Sequence, residues 1–499
     1  MKPVVSALQM KNAENALFAT GVSSLSVMER TAHALVDELI ALLGDVGKTC
    51  VFACGSGGNG GDGYAAARLF AKRGGRAIVV SVYPPKTADA ITNYERAKEC
   101  VFALTDVSKI DTLPVPDAWV DAVFGIGVTR PLDDAALSIV RRMNADRDMG
   151  ALVVSCDIPS GLCADTGNVY NECVNSDLTV CFQALKLGHL LGSGMDVCGK
   201  TVVRDIGISS SFFEDNIIEL AESSFIKDWY PRRRRTAHKN NFGHLLLVAG
   251  SFGMAGAAAL AASAALRSGC GLVSIACPES IVPILQTLCP CAMCIPLAEA
   301  DGAISKDSLD TLLHALSGKT AVAIGPGLSR KCAPSVIESI LKCSLPAVFD
   351  ADALNIISAN PDLLSHLRPH HAITPHPGEA KRLINGDYAD AISLTNALSA
   401  FHCQVLLKGS SSVISGDDGT FISASGTSGM AKGGSGDALT GITGALLALG
   451  VKPLTALLMA SEIHGIAGEI AAGKHGDISM LPTDLIAALG EAFSLAFNG

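Results

Sequence analysis

Short β-branched runs recur along most of the chain, each followed by a glycine- or proline-containing turn and a helix-patterned segment. Residues 49–54, 77–82, 118–124 and 152–156 form one series, and residues 244–249, 321–324, 347–350, 372–374 and 405–407 form a second. This is the βαβ rhythm of a parallel sheet covered by helices on both faces, since parallel neighbours need a crossover connection. Between the two series lies a less patterned, polar stretch over residues 209–241, with Pro231 and the run Arg232, Arg233, Arg234 and Arg235. The expected organisation is therefore two α/β domains, one over residues 1–215 and one over residues 225–499. The arginine run reads as a solvated linker rather than a polyanion-binding element.

Composition narrows the function. A length of 499 residues allows two to four domains at roughly 150 residues each. Hydrophobic residues at 49% and charged residues at 17% suit large buried cores and not disorder. A formal net charge of −10 repels a phosphodiester backbone and disfavours nucleic acid as a partner. Small anions stay possible, because clustered backbone amides bind phosphate inside an acidic protein. The 16 cysteines are scattered singly, and the cluster Cys289, Cys291 and Cys294 lacks the second ligand pair of a zinc site. They read as unpaired thiols of a reducing compartment. No basic region followed by an apolar run opens the chain, and the most apolar stretches, residues 245–277 and 438–451, are alanine-rich and broken by Gly and Ser. A cytoplasmic protein with no membrane span is the expectation.

In the first half, a turn containing Gly58, Asn59, Gly60, Gly61 and Asp62 follows a predicted strand and precedes a helix expected to start near Tyr64. A strand, a glycine-rich turn and a helix start present bare N–H groups to an anion. The spacing does not meet the strict G-x-G-x-x-G fingerprint, and a tight turn alone has structural uses. Asn59 and Asp62 within it go beyond what a turn needs. Asp121 opens a second loop with glycines at 125 and 127, and Asp157 and Ser160 follow the run 152–156. Taken singly each acid reads as a cap or turn residue. At successive strand ends of a doubly wound sheet they converge on one crevice, where oxygens hold a hard cation and one carboxylate is left for acid–base work.

These segments, with Lys186-Leu-Gly before Gly199-Lys200, make residues 8–208 resemble the NAD(P)H-hydrate epimerase family, the YjeF N-terminal domain. Gly58 stands where that family usually has a second Asn, and residues 27–32 replace its Met-Glu-Asn-Ala-Gly pattern. The resemblance implies a Rossmann-like fold and a potassium ion held by Asn59, Asp121 and Ser160. It implies hydrate contacts from Gly58, Asn59, Gly60, Gly61 and Asp62, from Gly125, Ile126, Gly127, Val128, Thr129, Arg130 and Pro131, and from Asp157. Asp157 is the implied acid–base residue. The ring nitrogen expels the hydroxyl of a hemiaminal carbon, and water re-attacks the iminium from either face.

In the second half, five glycines fall within residues 426–437 ahead of a helical run from Ala438, with Asp437 in its first turn. Free N–H groups and the macrodipole favour phosphate there, and Asp437 is placed as a base for a hydroxyl attacking a phosphoryl group. The plainer reading makes Asp437 a helix cap. Lys408, Gly409, Ser410, Ser411 and Ser412 follow an apolar strand, His376 is held in a turn between Pro375 and Pro377, and Gly325-Pro-Gly327 ends another strand. Residues 235–495 thereby resemble the ADP/ATP-dependent NAD(P)H-hydrate dehydratases, a branch of the ribokinase-like fold.

That resemblance implies hydrate contacts from Ala257, Gly327, His376 and Asp437, and nucleotide contacts from Lys408, Gly409, Ser410, Ser411, Ser412 and Gly436. Magnesium and ADP are the implied cofactors, ADP being favoured over ATP because the two activities are fused. Together the halves imply a bifunctional isomerase and lyase for metabolite repair. Its small-molecule partners are the hydrates of NADH and NADPH and ADP, in a homo-oligomer with no nucleic-acid or membrane partner. Two other readings stay open: a ribokinase-like vitamin-precursor kinase with a regulatory N-terminal domain, and a non-catalytic NAD(P)-sensing scaffold.

Overall fold

The computed structural model describes residues 2–213, 217–230 and 233–498, so Pro231 and Arg232 lie outside the described residues. The chain forms two compact units, residues 3–217 and residues 218–499 together with the first two residues. Arg233 is exposed and lays its guanidinium 4.0 Å from the Phe242 ring centroid.

The first unit begins with β1 (Lys2–Val5) and is built on β2 (Thr49–Cys54), β3 (Arg76–Ser81), β4 (Ala103–Asp106), β5 (Ala118–Ala122), β6 (Leu152–Cys156), β7 (Leu178–Phe182), the short β8 (Leu185–Lys186) and β9 (Lys200–Arg204). Seven strands form one parallel sheet in the order β4-β3-β2-β5-β6-β7-β9. Strand β1 pairs in parallel with β8. The sheet's order reverses between β2 and β5, so the loops leaving these two strands diverge and open a crevice at their carboxyl ends. Val51, Phe52, Val120 and Val154 are fully buried, as a sheet covered on both faces requires.

The helix after β2 spans Gly58–Lys72 and begins six residues earlier than the sequence pattern suggested. Its glycines are needed where they stand. A Cβ on Gly60 would lie 1.9 Å from the Gly55 carbonyl oxygen, and one on Gly61 would meet the Met28 side chain at 2.7 Å. The glycine-rich segment is thus the first turn of the helix pressed against the sheet, and Asn59 and Asp62 share a face at i, i+3.

The second unit contains β10 (Ile218–Leu220), β11 (His244–Val248), β12 (Leu272–Pro278), β13 (Met293–Leu297), a hairpin of β14 (Glu299–Ala300) and β15 (Ala303–Ile304), β16 (Ala321–Ile324), β17 (Ala347–Phe349), β18 (His371–Ile373), β19 (Gln404–Leu407), β20 (Ser412–Gly416) and β21 (Gly419–Ser423). The order β13-β12-β11-β16-β17-β18-β19 is parallel. Strands β20 and β21 continue the sheet antiparallel, and β10 lies parallel to β21. The order reverses between β11 and β16, which puts the second crevice at the loops over residues 249–256 and 325–329. Among the described residues no helix is long and apolar enough to cross a membrane.

The helix Ala255–Arg267 packs against the helix Ser435–Ala448 through small side chains, with Ala258, Ala261, Ala262 and Ala265 fully buried. The approach is so close that a Cβ on Gly441 would lie 2.1 Å from the Ala261 carbonyl oxygen. A backbone carbonyl inside a helix cannot swing away, so Gly441→Ala is expected to destabilise the second unit by about 1–3 kcal/mol. Thermal unfolding of the variant against wild type checks this, and an unchanged midpoint would mean that the helices separate at little cost.

Candidate functional sites

The first crevice encloses about 520 Å³, within the usual span of small-molecule sites. Its wall is made by Gly58, Asn59 and Asp62 at the helix start, Gly125, Ile126 and Gly127 after β5, and Asp157 after β6. Met10 and Glu14 from the helix Ala7–Ala19, Met28 from the helix Ser24–Leu43, and Lys186 complete it. Gly60 and Gly61 are buried in the helix packing beneath the cavity. Val128, Thr129, Arg130 and Pro131 do not contribute to its wall.

Asp157 sits at φ 66°, a left-handed conformation that costs a non-glycine residue free energy and clusters at functional sites. Several contacts hold it there. Phe182 N–H donates to Oδ1 at 3.1 Å, and the Lys186 ammonium pairs with the same oxygen. Lys186 is fully buried and also donates to the Phe182 carbonyl at 3.1 Å. Burial opposes its charge, but Asp157, Cys181 and Glu14 outweigh that and raise its pKa above the ordinary lysine value. His189 accepts from Lys186 N–H at Nδ1 (2.9 Å) and donates from Nε2 to the Asp157 carbonyl (2.8 Å). One neutral tautomer meets both, and burial, with Lys186 nearby, pushes the imidazole down to about 4.

Three other carboxyl groups, those of Glu14, Asp62 and Asp89, line the same cavity. Glu14 and Asp62 have no hydrogen-bond or ion-pair partner among the described residues. Burial and the Asp157 charge raise Glu14 to about 6, despite Lys186 and Lys11. Burial, then Asp157, Glu14 and Asp89, push Asp62 well above the usual carboxylate range.

Beneath the wall, Asn59, Asp121 and Ser160 meet around the Phe124 peptide. Asn59 Nδ2 donates to the Phe124 carbonyl at 2.9 Å, and Phe124 N–H donates to Ser160 Oγ at 2.9 Å. The fully buried Asp121 accepts from Ser160 Oγ at 2.6 Å, Ser160 N–H at 2.7 Å, Ser155 Oγ at 3.0 Å and Val123 N–H at 3.3 Å. Burial outweighs these bonds and raises its pKa.

In the second unit the organising pair is Asp350, at the end of β17, with Lys408, at the end of β19. Lys408 Nζ donates to Asp350 Oδ1 at 2.6 Å, and Thr440 Oγ1 donates to Oδ2 at 2.6 Å. The next residue, Ala351, is at φ 48°, again a strained backbone at a strand end. The first turn of the helix Ser435–Ala448 lies over the pair: a Cβ on Gly436 would be 3.6 Å from Lys408 Nζ and 3.8 Å from Asp350 Oδ2. Among the described residues the N–H groups of Gly436 and Asp437 have no backbone acceptor, as expected at a helix N-terminus. Burial and the Asp350 charge raise Asp437 to about 6, with Lys408 opposing.

The other expected residues surround this centre. Ala257 adjoins Gly327, whose carbonyl accepts from Ser251 Oγ at 2.8 Å; a Cβ on Gly327, at φ 60°, would lie 3.0 Å from that of Ala257. His376 caps the helix Pro377–Ile384 in a reciprocal box with Glu379, and its half-exposed ring accepts from Gly378 N–H at 3.0 Å. Lys408 N–H donates to the Pro375 carbonyl at 2.9 Å, tying the His376 turn to the Lys408 strand end. Gly409 and Ser410 are exposed, while Ser411 is buried and its hydroxyl has no hydrogen-bond partner among the described residues. Sequence reasoning gave no role to Glu14, His189, Asp350, Glu379 or Thr440. Asp350 carried a usable signal, an acid at the carboxyl end of an apolar strand like Asp157.

The Lys186–Asp157 pair makes a testable claim on stability. Breaking a buried pair by removing one partner typically costs about 3–5 kcal/mol, and less here because Asp157 opens to the cavity. Lys186→Met should destabilise the N-terminal unit by about 2–4 kcal/mol, and adding Asp157→Asn should return part of that loss. Denaturant unfolding of the two single variants and the double variant measures the coupling; additive effects would show that the pair holds nothing together.

A family model described as NAD(P)H-hydrate dehydratase matches residues 245–490, and one described as the YjeF-related protein N-terminus matches residues 24–188. A curated relative from Moorella thermoacetica, described as a bifunctional NAD(P)H-hydrate repair enzyme, is 34% identical over 93% of this chain and 91% of its own length. One from Escherichia coli with the same description is 33% identical over 87% of this chain and 83% of its own. A solved ribokinase-like superfamily protein from Enterococcus faecalis superposes with a TM-score of 0.51 at 23% identity, covering 56% of this chain and 97% of its own. With both halves matched and the likeness running almost end to end, the chain belongs to the bifunctional NAD(P)H-hydrate repair enzymes.

Proposed function

We propose that Asp157 is an acid–base residue of hydrate epimerisation in the N-terminal pocket and that Asp437 is the base of nucleotide-driven dehydration in the C-terminal site. The chain is an epimerase and a dehydratase by family, and the residue assignments rest on geometry. In the first site, Oδ1 of Asp157 is taken up by Lys186 and Phe182, whereas Oδ2 has no partner among the described residues. That leaves one oxygen of an anchored carboxylate for proton exchange with the hydroxyl or water on the face of the ring it meets.

Potassium suits the donors gathered at Phe124. Asn59, Asp121, Ser160 and the Phe124 carbonyl offer only hard oxygen ligands around a fully buried carboxylate. Its charge would hold together the loops after β2, β5 and β6 that shape the cavity wall.

In the second site, the observation that carries the reading is the carboxyl of Asp437 in the first helical turn, beside free N–H groups and the Lys408–Asp350 pair. Gly436 N–H and the Lys408, Gly409, Ser410, Ser411 and Ser412 segment would hold the nucleotide, ADP in our reading, and magnesium bound with it would neutralise the charge of the transferred phosphoryl group. Asp437 takes the proton from the ring hydroxyl as that oxygen attacks the terminal phosphoryl group. The nitrogen lone pair then expels phosphate and restores the dihydronicotinamide. Ala257, Gly327 and His376 are the hydrate contacts. A vitamin-precursor kinase is disfavoured, because near-full-length relatives and the N-terminal match have no place in it.

Asp437→Asn should lower dehydration by at least about two orders of magnitude while ADP affinity changes little. Wild-type dehydration should fall as pH drops through about 6, because the base is protonated below its raised pKa. Single-turnover rates and ADP titrations check both. A near-normal rate would make Asp437 only a helix cap, and collapsed ADP affinity would point to action through magnesium.

Asp157→Asn should abolish epimer interconversion and leave dehydration of the S epimer intact, followed on the separated epimers with and without ADP. Equal loss of the two activities would overturn the division of labour.

A further inference from the structure

Epimerisation imposes a requirement that Asp157 alone does not meet. The hydroxyl leaves one face of the hemiaminal carbon and water returns to the other. Leaving needs a proton delivered to oxygen on the first face, and return needs a proton removed from water on the second. A carboxylate anchored by Lys186 and the Phe182 N–H at the end of β6 cannot attend both faces of a bound ring.

We infer that Glu14 is the second proton-transferring residue of this reaction, the carboxylic acid that serves the face Asp157 does not reach. The inference rests on the epimerase reading above. Glu14 projects into the same cavity from the helix Ala7–Ala19, an element with no part in the glycine loops or strand ends. It has no hydrogen-bond or ion-pair partner among the described residues. A carboxyl group with no structural partner, half-buried on a cavity wall, is an orphan unless the ligand completes it.

The charges facing it set its state. Asp157 and Lys186 line the same cavity, Lys11 is on its own helix, and Asp62 and Asp89 approach from the helices Gly58–Lys72 and Ala88–Lys98. His189, behind Asp157, is neutral. Burial and Asp157 favour protonated Glu14, while Lys186 keeps a positive charge on the Asp157 side. One carboxyl is thus a donor and the other an ion-paired acceptor.

The step balances without any further reagent. The nitrogen lone pair forms the C=N bond, the C–O bond breaks with its electrons on oxygen, and the Glu14 proton completes a leaving water. A second water adds to the iminium on the opposite face, and its proton passes to Asp157. The reverse reaction exchanges the two roles, and proton exchange with solvent water returns Glu14 to its acid and Asp157 to its carboxylate between turnovers in one direction.

The test uses the full-length protein, separated hydrate epimers and no nucleotide, so that dehydration is silent. Wild-type kcat/KM should fall as pH rises through about 6, since Glu14 loses its proton there. Glu14→Gln should lower interconversion by about 100-fold or more and remove that alkaline limb, while Glu14→Asp should retain the limb and part of the rate. Thermal midpoints report whether each variant is folded. A folded Glu14→Gln enzyme with wild-type rate and pH profile would overturn the inference alone. A wild-type profile flat through pH 6 would also overturn it, even if Glu14→Gln failed to fold. A wild type unable to interconvert the epimers would instead remove the epimerase reading, and the inference with it.

Discussion

Both sites depend on a lysine and an aspartate paired where parallel strands end. Lys186 is fully buried against Asp157, and Asp350 is 2% exposed against Lys408. An unpaired ammonium or carboxylate at such depth costs several kcal/mol even after relaxation, so neither charge persists there without the other. Each pair ties the strand carrying the acid to chain arriving from elsewhere in the fold. Each also stands beside a left-handed residue, Asp157 itself and Ala351 after Asp350. Sheet and ion pair together over-determine these strained backbones, and so the carboxylates turn toward the crevice instead of continuing the strand.

A carboxyl group outside each pair then feels it. Glu14 in the first site and Asp437 in the second are both raised to about 6, by burial first and by the neighbouring aspartate next. The lysine opposes this in both cases without cancelling it. A paired carboxylate thus serves as a fixed negative charge that tunes a second, unpaired one toward neutrality, the condition in which a carboxyl both accepts and gives up a proton readily. Asp121 shows the contrast. It is more deeply buried but saturated by Ser155, Ser160 and Val123, and such a group fixes loops instead of exchanging protons.

What was legible in the sequence follows from range. Strands announced themselves locally, and the runs at 49–54, 152–156 and 321–324 coincide with β2, β6 and β16. The glycine-rich turns and the acids at 121, 157 and 437 were visible because each sits beside its own strand or helix start. The helix beginning at Gly58 was placed too late, because glycine disfavours helix locally and its reason here, the Gly55 carbonyl 1.9 Å from where a Gly60 Cβ would be, lies in the packing. Partners distant in sequence carried no local mark. Lys186 is 29 residues from Asp157, and Lys408 is 58 from Asp350. The prolines around His376 suggested a held side chain, and the structure adds that its ring is spent in part on capping a helix.

The two sites differ in what each must do to the same carbon. Dehydration removes the hydroxyl for good. One base suffices once the oxygen carries a phosphoryl group, because phosphate leaves without a proton being supplied. The second site accordingly pairs one free carboxyl, Asp437, with a helix N-terminus and Lys408, all suited to anionic phosphate. Epimerisation must remove and restore the same group with no activating phosphate, so the leaving oxygen has to be protonated directly. The first site accordingly gathers several carboxyl groups around one buried lysine, and burial with mutual repulsion lifts both Glu14 and Asp62. Related α/β scaffolds thus separate into acid catalysis and phosphoryl chemistry by what faces the strand ends: unpaired carboxyls lining a crevice in one case, bare amides and a lysine in the other.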